Sequence, residues 1–498
     1  MGRRLLEHSA IYAVGTLATS LASFLLLPLY VRALTPSEYG TLEVTLTTVI
    51  LSIRALSLEV HAGLFQRYFL AESDADRRRI VTTAVLFLVP FAAVGSGSFA
   101  LLAPALSILL FGATSRAEVL ELAAAATFFG TVITLPLSLL RAQQRPLLFT
   151  MCSFAQFLAT IGSTVYFVVV AGLGIEGALL GQIFGTGLVA LRLTPVLLKE
   201  VRPSFSLREL ILLVRFGTPL AVMNLCLFVL NSSDRYFLNA FQGPDVVAVY
   251  SLAYKLAGLI AVALVNPFWL VWPTVMLTAQ KAPNAPMVYA RSLTYTVALG
   301  ASVLVVITLI APYAVHILAT PAYAGAAQLV PIIAVAYLTY LTYPILATGV
   351  LLTSRTEYSA YAAIVAALLN LTLNYLLIPK YGALGAAFAT ALSYLAVLLG
   401  IYRPSRGLYP VPYEWRRVAA VAGLAAVLTA AGGFFTPSNE GLAALWRLGL
   451  LAAFPVGLWR ARVFDRDEAA LARSAAASWL GKLFRGAGES ELTQVSRA

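Results

Sequence analysis

The sequence predicts an all-α polytopic membrane protein of fourteen transmembrane helices: two pseudo-symmetric six-helix lobes around a central cavity, plus two extra C-terminal helices. Three observations lead there. Of 498 residues, 60% are hydrophobic and only 11% charged, against about 25% charged in soluble domains, and mean hydropathy is +0.86. Cations are sorted between alternate loops, and helix breakers recur at a fixed offset of 208 residues. These features exclude a soluble enzyme, a secreted disulfide module and a disordered regulator.

A span takes about 20 residues, so fourteen use about 280 plus short loops. The apolar runs place them near 9–31, 40–62, 80–111, 119–140, 147–171, 176–198, 210–241, 245–279, 288–318, 323–353, 358–378, 383–402, 417–436 and 441–463. Residues 1–200 make an N-lobe of spans one to six, and 201–412 a C-lobe of spans seven to twelve. Residues 413–464 hold the last two spans, and 465–498 a cytoplasmic tail. The first apolar run is too long for a signal core and is read as a retained span. In the tail, Leu471, Ala475, Trp479 and Leu483 suit an interfacial helix over 468–485.

With the amino terminus inside, the inner segments hold 25 of the 34 Lys and Arg, among them Arg67, Arg77, Arg78, Arg79, Arg141, Arg145 and Arg202. The outer ones hold only Arg32, Arg116 and Lys380. That asymmetry puts both termini in the cytoplasm. The formal charge of +12 therefore reports topology, and no nucleic-acid partner is read from it. Cys152 and Cys226 lie in apolar runs as small hydrophobes. Three histidines with no HExxH or CxxC suggest no metal, and without GxxxxGK[ST] there is no phosphate loop. No cofactor is expected.

The offset of 208 pairs Pro36 with Pro244, Pro104 with Pro312, Pro136 with Pro344, and Gly174 and Gly177 with Gly382 and Gly385. Chance would give about 0.7 proline matches, so a true duplication is favoured. A unit of six spans inserts twice with the same orientation, giving a pseudo-two-fold along the membrane normal and a cavity between lobes.

Ionisable groups within spans cost several kcal/mol unless they face protein or water, so they are functional candidates. In the second span Glu43, Thr47, Arg54, Ser57 and His61 all lie within about 40° of one helical line. Such a polar stripe fits a water-filled cavity or a structural Glu–Arg bridge. Ser9, Tyr12, Thr16, Thr19, Ser20 and Ser23 make a milder stripe in the first span, equally explained by small-residue packing. The seventh span presents Asn224, Asn231, Arg235 and Asn239, with Asp234 alongside, and Lys255 lies in the eighth. By helical rise Arg235 is about 9 Å and Lys255 about 15 Å deep, as ligands or as an Asp234–Lys255 pair. Tyr337, Tyr340 and Tyr343 recur at helical spacing in span ten, and Asn370 and Asn374 in span eleven. Tyrosines so spaced often merely pack, yet their faces and hydroxyls also suit a sugar. Glu43, Glu59 and Asp234 are the carboxylates open to proton or sodium coupling.

The stretch Leu27-Pro28-Leu29-Tyr30-Val31-Arg32-Ala33-Leu34-Thr35-Pro36-Ser37-Glu38-Tyr39-Gly40 resembles the opening of the Wzx-type polysaccharide flippases. Asp234-Arg235-Tyr236-Phe237-Leu238 and Val249-Tyr250-Ser251-Leu252-Ala253-Tyr254-Lys255-Leu256 resemble that family too. It belongs to the multidrug/oligosaccharidyl-lipid/polysaccharide exporter superfamily, with drug/cation antiporters and lipid II flippases. The resemblance implies export of polyprenyl-pyrophosphate-linked oligosaccharide, an O-antigen or exopolysaccharide repeat unit, across a prokaryotic plasma (inner) membrane. Polysaccharide-assembly proteins would be partners. A cationic cavity would receive the anionic head, with Asp234, Arg235 and Lys255 carried over by motif and Arg54 added from the stripe alone. A drug/cation antiporter would favour a cavity carboxylate over cations. A membrane glycan polymerase or ligase would need a sizeable outer loop, whereas every outer loop here is about ten residues or shorter. Asp74-Ala75-Asp76-Arg77 lacks the glycines of a major-facilitator signature.

Overall fold

The computed structural model describes residues 24–435, 437, 439–461 and 463, and every regular element among them is helical. The first half runs through α1 (Leu27–Ala33), α2 (Pro36–Ser57), α3 (Val60–Leu70), α4 (Asp74–Leu101), α5 (Ala103–Phe111), α6 (Ala117–Val132), α7 (Thr134–Ala142), α8 (Pro146–Val165) and α9 (Gly174–Leu198). The second comprises α10 (Leu207–Ser232), α11 (Asp234–Gln242), α12 (Pro244–Ile260), α13 (Asn266–Ala279), α14 (Ala285–Leu318), α15 (Ala326–Leu346), α16 (Thr348–Leu352) and α17 (Glu357–Leu408). Then come α18 (Trp415–Phe434) and α19 (Glu440–Arg460).

Local chemistry sets the starts. Thr35 and Glu38 form a reciprocal capping box with Pro36 in the first turn, so α2 begins sharply. Ser73 caps α4 and Ser206 caps α10, each accepting from a backbone N–H three residues on.

Twelve helical segments among the described residues are long and apolar enough to cross a membrane. The longest, α17, has 52 residues and a non-helical break at Gly382 (φ 55°, ψ −133°), so it accounts for two predicted spans. With the first predicted span, fourteen crossings fit. Most of that span (9–31), its serine and threonine stripe, and the tail helix 468–485 lie outside the described residues. Large apolar side chains such as Leu101 (85% exposed) and Leu109 (77%) stand on the outside, as a lipid-facing surface requires.

The two halves repeat each other in backbone detail. Gly174 and Gly382 both take φ of +55°, a region that only glycine enters freely. Gly177 and Gly385 each sit where a Cβ would press a backbone carbonyl, Phe167 at 2.8 Å and Leu377 at 2.5 Å. A left-handed residue closes the same turn twice, Gln144 (φ 53°) and Ser354 (φ 58°). In each turn the next N–H reaches back five residues, Arg145 to Leu140 (3.0 Å) and Arg355 to Val350 (3.1 Å). This pair stands 210 residues apart, so the offset drifts by two and returns to 208 at the glycines. Pro36 and Pro244 open α2 and α12. Pro104 opens α5, whereas Pro312 lies inside the unbroken α14.

Two compact units are distinguished. Among the described residues, one takes in those up to Thr278 together with Ile310–Pro410. The other joins Ala279–Leu309 to the described residues from Val411 on; within it Thr294 donates to Glu414 at 2.8 Å and Arg417 pairs with Glu414 at 3.1 Å.

Candidate functional site

The site begins with a glycine. A Cβ at Gly40 would lie 1.8 Å from the carbonyl oxygen of Pro244, so no other residue lets α2 and α12 approach this closely. One turn further on, this closeness brings Glu43 of α2 to Lys255 of α12 in a direct ion pair. Lys255 also donates to the Tyr39 hydroxyl at 3.1 Å and lies 5.3 Å from that ring's centre. Glu43 is buried and the Lys255 side chain only 19% exposed. The alternative Asp234–Lys255 pair does not form: each takes a different partner.

Asp234 follows a helix break. Ser233 separates α10 from α11, and its hydroxyl donates to Asn370 at 3.1 Å, while Asn374 donates to Asn370 at 3.0 Å. These two asparagines secure the break. Asp234, at the start of α11, accepts from the Arg235 side chain and backbone N–H, both at 2.9 Å, and from the Tyr250 hydroxyl. Adjacency in the chain explains why it chooses Arg235 over Lys255. Arg235 donates further to the Asn231 carbonyl at 2.8 Å and stacks on Tyr254 at 4.4 Å. The Asn231 side chain accepts from Tyr254 (3.2 Å) and Tyr394 (2.7 Å). Tyr337 meets Tyr254 edge-on at 5.7 Å, and Tyr340 packs on Trp269 and Tyr394. Here the tyrosines form a packed aromatic cluster around the polar groups. Thr47 is buried and donates to its own helix at the Glu43 carbonyl, 2.7 Å.

Arg54 belongs to a second cluster. Between α2 and α3, Leu58 and Glu59 both adopt left-handed backbone (φ 44° and 52°), a strained state for such residues. Packing holds it: a Cβ at Gly217 of α10 would lie 2.3 Å from the Leu58 carbonyl oxygen, and one at Gly63 of α3 would lie 2.7 Å from that of Leu213. Asn224 donates to Glu59 at 2.9 Å, His61 approaches Glu59 at 3.4 Å, and Arg54 makes one long contact to the Asn224 carbonyl at 3.5 Å. Further along, Arg67 grips Glu209 with both nitrogens at 2.9–3.2 Å. Of the three cations expected to line a cavity, two are thus tied to carboxylates, while Arg54 touches only a carbonyl oxygen among the described residues.

Sequence reasoning missed Tyr39, Tyr250, Tyr254, Tyr394, Trp269 and Thr390, whose hydroxyl donates to Asp234 at 3.4 Å. A signal was present for three. Tyr39 lies four residues from Glu43, and Tyr250 and Tyr254 flank one turn just before Lys255, the spacing at which side chains share a helix face.

Broken helices in two matching halves, with the Glu43–Lys255 pair between them, make up the site. Matching the polysaccharide biosynthesis protein family over residues 5–275, the chain belongs to that family. Among solved structures it resembles the lipid II flippase MurJ in an inward closed conformation, at TM-score 0.70 and 13% identity, covering 90% of this chain and 99% of that one. An inward-facing multidrug resistance MATE transporter follows at TM-score 0.61 and 15% identity, with coverage of 83% and 96%. A point mutant of the Vibrio cholerae MATE transporter VcmN gives 0.56 and 15%, with coverage of 82% and 98%. No curated protein matches.

Proposed function

We propose that this protein is a flippase, not an enzyme, moving a polyprenyl-pyrophosphate-linked oligosaccharide from the cytoplasmic to the outer leaflet by alternating access. The observation that carries the reading is the Lys255–Glu43 pair, which joins the two lobes inside the membrane. A pyrophosphate cannot cross hydrocarbon without losing its hydration. Parting α2 from α12 would release Lys255 from Glu43 just as a cavity opens, and the pyrophosphate would take the carboxylate's place through charge-assisted bonds. Arg54, with one long carbonyl contact, supplies a second movable cation. Arg235 is fixed on three sides and would shape the field of the cavity. Asn224, Asn231 and the tyrosines Tyr337 and Tyr340 would meet sugar once the cluster loosens.

In this reading the halves 1–200 and 201–412 act as the moving lobes. Both termini lie in the cytoplasm of a prokaryote, and assembly proteins supply and receive the cargo. Any coupling proton or sodium ion would use Glu59, or Glu43 once Lys255 has left it, since Asp234 keeps Arg235. Those engaged carboxylates also weigh against drug/cation antiport.

The test is export of lipid-linked glycan at matched protein level. Lys255→Ala is expected to abolish it and Arg54→Ala to reduce it at least tenfold. Glu43→Gln with Lys255→Met removes the whole pair, so it should restore stability without restoring export, because deleting both members of a buried pair is nearly neutral. Full export by that double variant would overturn the ligand role.

A further inference from the structure

A cavity of about 430 Å³ opens away from the lobe seam, on the face carrying the cation-rich loops. Its walls include Tyr68 and Phe69 at the end of α3, Arg77 in the first turn of α4, Gln143 and Arg145 around the left-handed Gln144, and Glu200 just past α9. The polar groups are arrayed with capacity unused. Arg77 lies 5.4 Å over the Tyr68 ring and spends one nitrogen on Asp74 at 3.0 Å, an acid 84% exposed. Its Nε is buried with no partner. Arg145 is exposed and forms no ion pair among the described residues. Gln143 donates its amide to Glu200 at 3.1 Å, and its buried carbonyl oxygen accepts nothing. Arg78 approaches the other side of Glu200 at 3.7 Å.

Two guanidinium groups attract an anion. An amide carbonyl and a carboxylate accept hydroxyl protons, and two aromatic rings offer faces to C–H groups. Phosphate alone would leave the acceptors and rings unused, and a neutral sugar would leave the arginines unused. The duplication supplies an internal control. At the 208-residue offset Tyr68, Phe69, Arg77 and Glu200 meet Met276, Leu277, Ala285 and Leu408. The scaffold does not require these four groups, because its other copy does without them, whereas Arg145 has Arg355 as its counterpart in the shared turn.

We propose that this pocket binds a glycosyl phosphate, a sugar carrying its phosphate, as a reception site for the cargo head before the central cavity opens. Its use in transport rests on the flippase reading; its binding does not. The experiment is isothermal titration of the purified full-length protein with glucose 1-phosphate, glucose, inorganic phosphate and glycerol 3-phosphate. Glucose 1-phosphate is expected to bind at least tenfold tighter than the other three. Arg77→Ala and Arg145→Ala should each weaken it tenfold or more while thermal unfolding stays within a few degrees of the parent. Arg145 is exposed, so that variant tests the pocket even if Arg77→Ala folds poorly. Failure of the flippase reading would show in export alone and leave this binding intact. Three results would overturn the proposal: no binding of glucose 1-phosphate, binding untouched by Arg145→Ala, or glycerol 3-phosphate binding equally well. The last would reassign the pocket to the head groups of ordinary membrane lipids.

Discussion

The two halves of the repeat agree where the backbone turns and disagree where charge is buried. Gln144 and Ser354 close one turn twice, and Gly174 and Gly382 make one kink twice. Yet the break after α10 carries Asp234 and Arg235, while the matching break before α1 carries Leu26 and Leu27. The scaffold therefore has an apolar break in one lobe and an ion pair at the matching break in the other. The comparison separates what a duplicated helix bundle needs from what this protein does with it.

The largest effect should come from splitting that pair. Asp234→Leu or Arg235→Leu alone strands a buried charge, and each is expected to cost about 3–5 kcal/mol, read as a lowered unfolding temperature in detergent. Installing both leucines, as in the other lobe, should recover most of that stability while export stays lost. Stability as low as in the single variants would show that the lobes are not equivalent here. Next is the seam. Gly40→Ala presses a carbonyl that cannot retreat, with an expected cost of about 1–3 kcal/mol. At the offset of 208 its counterpart is already alanine, Ala248, and Ala248→Gly should cost only about 0.5–1 kcal/mol. Equal costs would remove the asymmetry claimed for the seam. Arg67→Lys loses the bidentate grip on Glu209 at a partly exposed site and should cost about 1 kcal/mol or less. The smallest effect sharpens the likeness of the halves. Gln144→Gly and Ser354→Gly should each stabilise by about 0.5 kcal/mol, as relief of left-handed strain slightly outweighs glycine's entropy. A gain at one turn with a loss at the other would mean the turns only look alike.

Much of the fold was legible because membrane insertion writes it into local composition. Apolar length marked the spans, and Pro36, Pro244, Gly174 and Gly382 marked helix starts and kinks. The break at Leu58–Glu59 was not legible. Neither residue favours left-handed backbone, and their conformation is imposed by Gly217 and Asn224, more than 150 residues away. The site was half legible for the same reason. Glu43, Asp234, Arg235 and Lys255 stood out as charges in apolar helices, but who pairs with whom depends on a close approach at Gly40 that no local pattern announces. Depth in the membrane left a ligand role and an Asp234–Lys255 pair both open. The chain settles it differently, by adjacency for Arg235 and by that contact for Lys255.

The bridge between Glu43 and Lys255 also carries a cost in time. Its members are 212 residues apart, so at about 5–20 residues per second the first lobe enters the membrane roughly 10–40 s before the lysine is made. Throughout that interval the growing chain holds a carboxylate at membrane depth with no cation to meet it. The nascent first lobe must keep α2 turned toward water or toward its own helices until α12 arrives. Stalling synthesis between the two lobes should expose this half-built state, and the quality-control proteases of the membrane should recognise it by its unanswered charges, Glu43 and Arg67 among them.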